Sequence, residues 1–391
     1  METAVILEGA RTPIGKFLGS LAEVPTVDLG VVATKEALRR ASVEPDQVEE
    51  VVFGHARQAG NGPNTARQVT YRSGIPQETP GVTVNMACGS GTRAVQHAAE
   101  QIMLGNASVV VAGGMENMSR TPFLMDRMRS GYRMGNATVY DGMYKDGFVD
   151  PLSGLIMGET AENLAAKYGI SREEQDEFAL ESQQKSASGR ERRQLEITPV
   201  EVPGRKGDVT VVTEDEHPRA DTTMETLATL KPTFSPEGTV TAGSSSGITD
   251  GAASMVFMSA TRAASEGRTP LAKIVAYASA GVDPAYMGIG VVPATRKVLE
   301  KTGLSLQDFD VIEVNEAFAA QVLACDRELK LDHDKLNPKG GSIALGHPIG
   351  MTGARIVLTA AYELRERDLS LALCTLCISG GMGMAVVLER A

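Results

Sequence analysis

Val82-Thr83-Val84-Asn85-Met86-Ala87-Cys88-Gly89-Ser90-Gly91-Thr92-Arg93 carries three local signals in succession. The β-branched residues at 82–84 predict a strand, and Gly89-Ser90-Gly91 predicts a tight turn. Ala94, Val95, Ala98 and Ile102 mark the apolar face of a helix over 92–103. Cys88 therefore stands on a strand-to-helix elbow. A thiol there meets the unpaired N–H groups and positive end of the helix, which favour thiolate, while the glycines let a substrate carbonyl come close. The competing reading is a small buried hydrophobe, the commonest use of cysteine. A nucleophile also needs a base from elsewhere in the chain.

Outward from the elbow, strands and helices alternate. Residues 3–8 read as a strand, 28–41 as an amphipathic helix, 48–53 as a strand ending at Gly54-His55, and 64–74 as a helix. After the elbow helix comes the apolar strand 108–112, closed by Gly113-Gly114. This grammar predicts βαβ units around a mainly parallel, buried sheet, an α/β fold.

The second half repeats it. Laying Ala33-Thr34-Lys35 on Ala294-Thr295-Arg296 gives a gapless match to Ala56 on Ala317, pairing Leu38 with Leu299 and Val51 with Ile312. Further on, the Cys88 elbow matches Gly346-His347-Pro348-Ile349-Gly350 before a helix over 352–365. Ala112-Gly113-Gly114-Met115 matches Ser379-Gly380-Gly381-Met382 after an apolar strand. A long unit is duplicated, and a pseudo-twofold would bring the equivalent elbows to one cleft. The grammar breaks between the halves. A helix over 159–168, a capping box at Ser171-Arg172-Glu173-Glu174 opening a helix to about Arg193, and a hairpin turning at 204–207 form an α+β insertion. The expected division is 1–118 plus 250–268 for the first half, 119–249 for the insertion, and 269–391 for the second half.

The 391 residues suit two domains plus an insertion, and 42% hydrophobic with 22% charged residues is ordinary for a soluble globular chain. A net charge of -11 argues against nucleic acid or an anionic membrane as partner. The N-terminus enters a strand without a basic, apolar leader, and no run reaches membrane-span length, so a cytoplasmic protein is expected. Four scattered cysteines (88, 325, 374, 377) predict reduced thiols rather than a disulfide framework.

Four clusters at loop ends compete for chemistry. His347, between glycines and a proline, is either a structural ring or a base. Cys374 and Cys377 show C-x-x-C spacing, but on a strand side chains three apart face opposite sides, so a shared metal is not expected. Cys377, nearer the Gly380-Gly381 loop, suits a cleft; Cys374 and Cys325 read as core. Asn315, in Asn315-Glu316-Ala317-Phe318, is either a helix N-cap or a cleft-facing amide. His55, His97, His217 and His333 lack partners at ligand spacing and read as structural.

Taken together, the chain resembles the thiolase family over essentially its whole length. The resemblance rests on Val84-Asn-Met-Ala-Cys88-Gly-Ser-Gly91, Gly113-Gly-Met-Glu-Asn-Met-Ser-Arg120, Met157-Gly-Glu-Thr-Ala-Glu-Asn163 and Thr241-Ala-Gly-Ser-Ser-Ser-Gly247. Asn315-Glu-Ala-Phe318, Gly340 to Gly350 and Cys377-Ile-Ser-Gly-Gly-Met-Gly383 complete the set in family order.

The resemblance implies a duplicated, five-layered α-β-α-β-α fold and acyl exchange between coenzyme A thioesters. Cys88 would carry the acyl group and His347 would activate its thiol. Cys377 would be the second acid/base. His347 with an Asn315-held water would stabilise the enolate oxygen, and the N–H groups of Cys88 and Ser379 would form the other oxyanion hole. Coenzyme A would lie along Met157, Arg219, Phe234, Ala242, Ser246 and Phe318 of the insertion and its surroundings. It is substrate rather than cofactor, no metal is implied, and homodimers or homotetramers are expected.

Some positions depart from the family pattern. Ser379 stands where Gly is usual, and a positive φ there would strain it. Ser244 and Thr249 replace common asparagines, Pro338-Lys339 replaces Val-Asn, and Ile156 replaces the His of acetoacetyl-CoA-tuned members. Ile156 leans the reading toward a broader 3-ketoacyl-CoA range, and Glu173-Glu174-Gln175-Asp176 through Ser182-Gln183-Gln184, with Asp215-Glu216-His217-Pro218-Arg219, resemble the degradative, β-oxidation branch. The nearest rivals are a decarboxylating ketoacyl synthase, which lacks a second cysteine in the C-terminal glycine loop, and a non-catalytic acyl-CoA-binding relative.

Overall fold

The computed structural model describes residues 2–204 and 207–391. The chain opens with β1 (Ala4–Arg11), α1 (Thr26–Ala41), β2 (Glu50–Gly54), α2 (Thr65–Arg72), β3 (Gly81–Val84), α3 (Ser90–Met103) and β4 (Val109–Asn117). An excursion follows, with α4 (Met157–Tyr168), α5 (Arg172–Ser188) and the hairpin strands β5 (Val200–Pro203) and β6 (Val209–Val212). The chain returns as β7 (Thr249–Ser259). Its second half runs β8 (Ala272–Gly281), α6 (Val291–Thr302), β9 (Val311–Val314), α7 (Ala319–Leu329), α8 (Ile349–Glu366), β10 (Leu371–Ile378) and β11 (Met382–Arg390). Ser171 caps α5 as its capping box predicts, and the helix ends before Gly189. Of the hairpin turn expected at 204–207, Arg205 and Lys206 lie outside the described residues.

The duplication is visible element by element. α1 ends at left-handed Ser42 and α6 at left-handed Gly303, the same offset as Ala33 to Ala294. Short turns at Pro45–Gln47 and Leu306–Asp308 follow at that offset, then β2 and β9. Where β2 pairs in parallel with β3 through Val51 and Gly81, the second half keeps one parallel bridge, Ile312 to Leu336.

One sheet spans both halves in the order β9-β10-β11-β8-β1-β7-β4-β2-β3, with Gly15–Lys16 pairing β7 as a tenth strand. The halves join where β1 meets β8, at two residue pairs. The sheet is mixed, not mainly parallel: β2/β3, β2/β4 and β9/β10 are parallel, whereas β7 and β11 run against their neighbours. β11 follows β10 by a hairpin at Gly380 and Gly381, both at positive φ, so no crossover helix intervenes.

Strand alternation sorts the core into layers. Ile6, Val110 and Ala112 point inward to α3 and α8; Val5, Leu7, Val109 and Val111 point outward to α1 and α2. In the second half Leu376 and Ile378 face the central helices, while Leu373 and Val387 face α6 and α7. The result is helix, sheet, paired helices, sheet, helix. Every residue from Ile349 to Leu364 of α8 is buried, as a helix covered on all sides requires.

Gly113 and Gly114 do not end β4, which runs on to Asn117. They serve close packing: a Cβ on Gly113 would sit 2.2 Å from the Ala253 carbonyl oxygen, and one on Gly114 2.0 Å from that of Gly350. Val51 lies opposite Val111 and Ile312 opposite Leu373, so two residues on, Gly113 corresponds to Thr375 rather than Gly380. The two double glycines are not equivalent in space, because β4 feeds the excursion while β10 turns straight back.

Candidate active site

The Cys88 elbow is tied by short-range hydrogen bonds. Ala87 takes φ +45, a conformation costly for a residue with a Cβ. Asn85 Oδ1 accepts its N–H at 2.9 Å, and Ser90 Oγ donates to its carbonyl at 2.7 Å while accepting the Met86 N–H at 2.9 Å. Asn85 Nδ2 donates to the Ala56 carbonyl at 3.1 Å. The helix starts at Ser90, two residues earlier than its apolar spacing suggests. Gly89 closes the expected turn, its N–H donating to the Met86 carbonyl at 2.9 Å, while Gly91 already lies in the helix. Both also admit the other half: a Cβ on Gly89 would meet Ile378 Cδ1 at 2.4 Å, and one on Gly91 the Ala354 nitrogen at 2.5 Å.

His347 stands two residues before α8, as Cys88 stands two before α3. Its Nδ1 lies 2.7 Å from Thr352 Oγ1, whose own hydrogen is donated to the Pro348 carbonyl at 3.0 Å. The hydroxyl must then accept, so Nδ1 carries the imidazole proton and Nε2 bears the lone pair. Nε2 is buried and without a partner. Burial, and then the Arg355 charge, push the imidazole down to about 3, so it is a neutral ring. Glu116 links the elbows: its carboxylate accepts the N–H groups of Ala56, Arg57 and Gly350 at 3.0 to 3.1 Å, with His55 Nε2 3.3 Å away.

Cys377 and Cys374 fall on opposite faces of β10. Cys377 belongs to the outer core of the second half and to the cavity; Cys374 packs among the central helices, its Sγ donating to the Ile356 carbonyl at 3.5 Å. Cys325 is likewise buried, donating to the Gly288 carbonyl at 3.3 Å. All four cysteines are free thiols. Ser379 is not among the positive-φ residues, so its side chain brings no backbone strain; Gly380 and Gly381 take the left-handed turn instead.

Asn315 is not the N-cap of α7, a place held by Phe318. Its Oδ1 accepts from Ser342 Oγ at 2.7 Å, and Ser342 in turn accepts from Arg355 Nη2 at 3.2 Å. That orientation leaves the buried Nδ2 as a donor without a partner. An unpaired buried amide calls for a water or a ligand oxygen.

Burial pushes the Cys88 thiol above its ordinary value, and the N–H of Ser379, the Arg57 charge and the Cys88 N–H pull it back only in part. The helix start therefore does not by itself make a thiolate; a base is needed. Burial also pushes the Cys377 thiol well above its ordinary value.

One cavity of about 410 Å³ gathers these groups. Cys88, His347, Cys377 and Ser379 line it, whereas Asn315 is fully buried and is not among the lining residues. Met157, Arg219, Phe234, Ala242, Ser246 and Phe318 line the rest, with Phe234 and Phe318 edge to face at 5.8 Å. Two lining residues escape a sequence reading. His217 had read as structural, but it faces this cavity, its Nδ1 3.0 Å from the Ala344 carbonyl and its ring held neutral by burial. Arg57 sits in a loop after β2 with no motif around it. Among the described residues no cluster of three metal-ligating side chains occurs.

The family models described as "Thiolase, N-terminal domain" and "Thiolase, C-terminal domain" match residues 4–261 and 268–390. The chain is 51% identical to the acetyl-CoA acetyltransferase of Escherichia coli (strain K12) and 50% identical to that of Pseudomonas aeruginosa, each over the full length of both proteins. The crystal structure of the Bacillus anthracis acetyl-CoA acetyltransferase superposes with a TM-score of 0.98 at 46% identity. That of human mitochondrial 3-ketoacyl-CoA thiolase does so at 0.96 and 41%; both alignments cover 100% of this chain and 99% of the other. Joined elbows, a free imidazole lone pair and a second thiol in one cavity, together with these full-length likenesses, place the chain in the thiolase family.

Proposed function

We propose that the protein is an acyl-CoA:acetyl-CoA C-acyltransferase that makes or cleaves 3-ketoacyl-CoA, acetoacetyl-CoA included. The observation that carries this reading is the unpartnered His347 Nε2 in the cavity that holds both Cys88 and Cys377. In thiolysis, His347 Nε2 takes the Cys88 proton as the sulfur attacks the 3-keto carbon. The bond between C2 and C3 then breaks, leaving the acyl group on Cys88. Its electrons pass to the acetyl-CoA enolate, which takes its proton from Cys377. In the second step the coenzyme A thiol gives its proton to the Cys377 thiolate and attacks the acyl thioester, and Cys88 leaves and regains its proton from His347. Synthesis is the reverse.

The N–H groups of Ser379 and Cys88, which act on the Cys88 thiol, serve as donors to the oxyanion on the acyl carbon that the sulfur attacks. Asn315 Nδ2 supports a water for the enolate oxygen. Coenzyme A lies along Met157, Phe234, Ala242, Ser246 and Phe318, with Arg219 as the local cation that reconciles an acidic protein with an anionic substrate. It is contributed mainly by the excursion between β4 and β7. Ile156, which lines the cavity, favours 3-ketoacyl chains beyond acetoacetyl, and the 173–184 and 215–219 stretches favour a role in fatty-acid breakdown.

A cytoplasmic homodimer or homotetramer is the assembly we favour. Phe123, Met128 and Met134 stand out to solvent between β4 and α4, Met134 at 93% exposure, and a second copy would cover them. Among the described residues no helix is long and apolar enough to cross a membrane. The deciding experiment is Cys88→Ala: acetyl transfer from acetoacetyl-CoA to coenzyme A should vanish, and retained transfer would sink the reading.

A further inference from the structure

Arg57 is 8% exposed and lines the catalytic cavity. Its backbone is spoken for, the N–H donating to Glu116 and the carbonyl accepting from Asn61. Its guanidinium is not. Among the described residues it forms no ion pair and no side-chain hydrogen bond, and its Nε is buried without a partner. The nearby acids form no ion pair with it: Glu116, near enough to feel the Arg57 charge, accepts three backbone N–H groups, and Asp146 shares an outer groove with Arg57.

A Cβ on Gly147 would lie 2.0 Å from Arg57 Nη2 and 2.4 Å from its Cζ, so the guanidinium packs directly against the Gly147 backbone. Arg57 is near enough to Cys88 and His347 for its charge to weigh on both. Arg219, by contrast, opens onto the groove lined by Thr226 and Leu230, which Arg57 does not touch. The cavity thus holds one cation on its coenzyme side and a second beside the thiol that receives the acyl group. A largely buried guanidinium that makes no side-chain hydrogen bond has donors to spare, and its planar fork fits a carboxylate in two parallel hydrogen bonds.

We propose that Arg57 receives a carboxylate at the far end of the acyl chain, so that the enzyme accepts 3-ketoacyl-CoA thioesters derived from dicarboxylic acids. This rests on the thiolase reading above. The chemistry is unchanged: the bond between C2 and C3 breaks, acetyl-CoA leaves, and the carboxylated acyl group passes from Cys88 to coenzyme A.

The test compares thiolysis of matched pairs, 3-ketoadipoyl-CoA against 3-ketohexanoyl-CoA and 3-ketosuberoyl-CoA against 3-ketooctanoyl-CoA, in wild type, Arg57→Leu and Arg57→Lys. The readout is the ratio of kcat/KM within each pair. For at least one pair the ratio should fall by at least about tenfold in Arg57→Leu and lie between the two in Arg57→Lys, as expected when a site built for a polar group loses its partner. An unchanged ratio, or a wild type that cleaves neither carboxylated substrate, overturns the proposal. So does an equal loss on both members of each pair, which would mark Arg57 as acting on the Cys88 thiol. Failure of the wild type on acetoacetyl-CoA as well would instead reject the thiolase reading itself.

Discussion

His347 and Thr352 share a 2.7 Å hydrogen bond that decides which imidazole nitrogen faces the substrate. Because the threonine hydrogen is committed to the Pro348 carbonyl one turn back, the ring is locked with its lone pair on Nε2. The ring is thus set by a residue that does not line the cavity.

Thr352→Val should therefore lower kcat by about ten- to a hundredfold, in the range seen when an orienting partner of a functional histidine is lost, with KM little changed. Thr352→Ser should restore most of the rate. A parallel loss in Thr352→Ser, or a change confined to KM, would show that the methyl packing matters and the hydroxyl does not.

Cys377→Ala should separate the half-reactions. Acyl transfer from acetyl-CoA onto Cys88 should persist, measured as a covalent adduct by intact-protein mass spectrometry. Carbon–carbon cleavage should fall by about a hundred- to ten-thousandfold, the usual reach of a general acid or base. Equal loss of both steps would assign Cys377 to packing.

The free enzyme should react slowly with alkylating agents at neutral pH. Burial holds the Cys88 thiol above its ordinary value and keeps His347 neutral down to about pH 3, so the resting pair is thiol and imidazole rather than thiolate and imidazolium. A raised thiol value moves the thiolate to higher pH. The rate of Cys88 alkylation by iodoacetamide should thus go on rising beyond about pH 8.5, the ordinary thiol value. A plateau below pH 7 would contradict this.

Gly114→Ala should be among the most damaging single-atom additions. The new Cβ would press on the Gly350 carbonyl oxygen in the His347 elbow, 2.0 Å away, where backbone has nowhere to move. A loss of about 3 kcal/mol or more is expected by chemical denaturation, at the top of the overpacking range. Gly267→Ala is the control: it meets open space and bears only the cost of φ +66, about 1 kcal/mol. Similar losses at the two sites would remove the packing argument.

Much of this arrangement was legible in the chain. The gapless match from Ala33 to Ala56 places helix ends, turns and strands of the two halves at a constant offset, because each half solves the same local problem. The opposite faces of Cys374 and Cys377 follow from strand geometry alone. Strand direction did not follow, since the partners of β7 and β11 are chosen by contacts far apart in sequence. Nor did the roles of Gly113 and Gly114, which depend on what approaches from another element. Arg57 and His217 stayed hidden for a related reason: an isolated charged or polar residue in a loop has no periodicity, and only the assembled cavity shows what it faces.

The two elbows are the same piece of architecture used twice, with a thiol in one slot and an imidazole in the other. Gly91 against Ala354 and Gly353 against Thr92 bring the paired helices to backbone contact, so little side-chain bulk separates them. Adding a Cβ at Gly91 or Gly353 would push the two elbows apart at the seam that aligns them, so the spacing between Cys88 and His347 is set by two residues that carry no side chain.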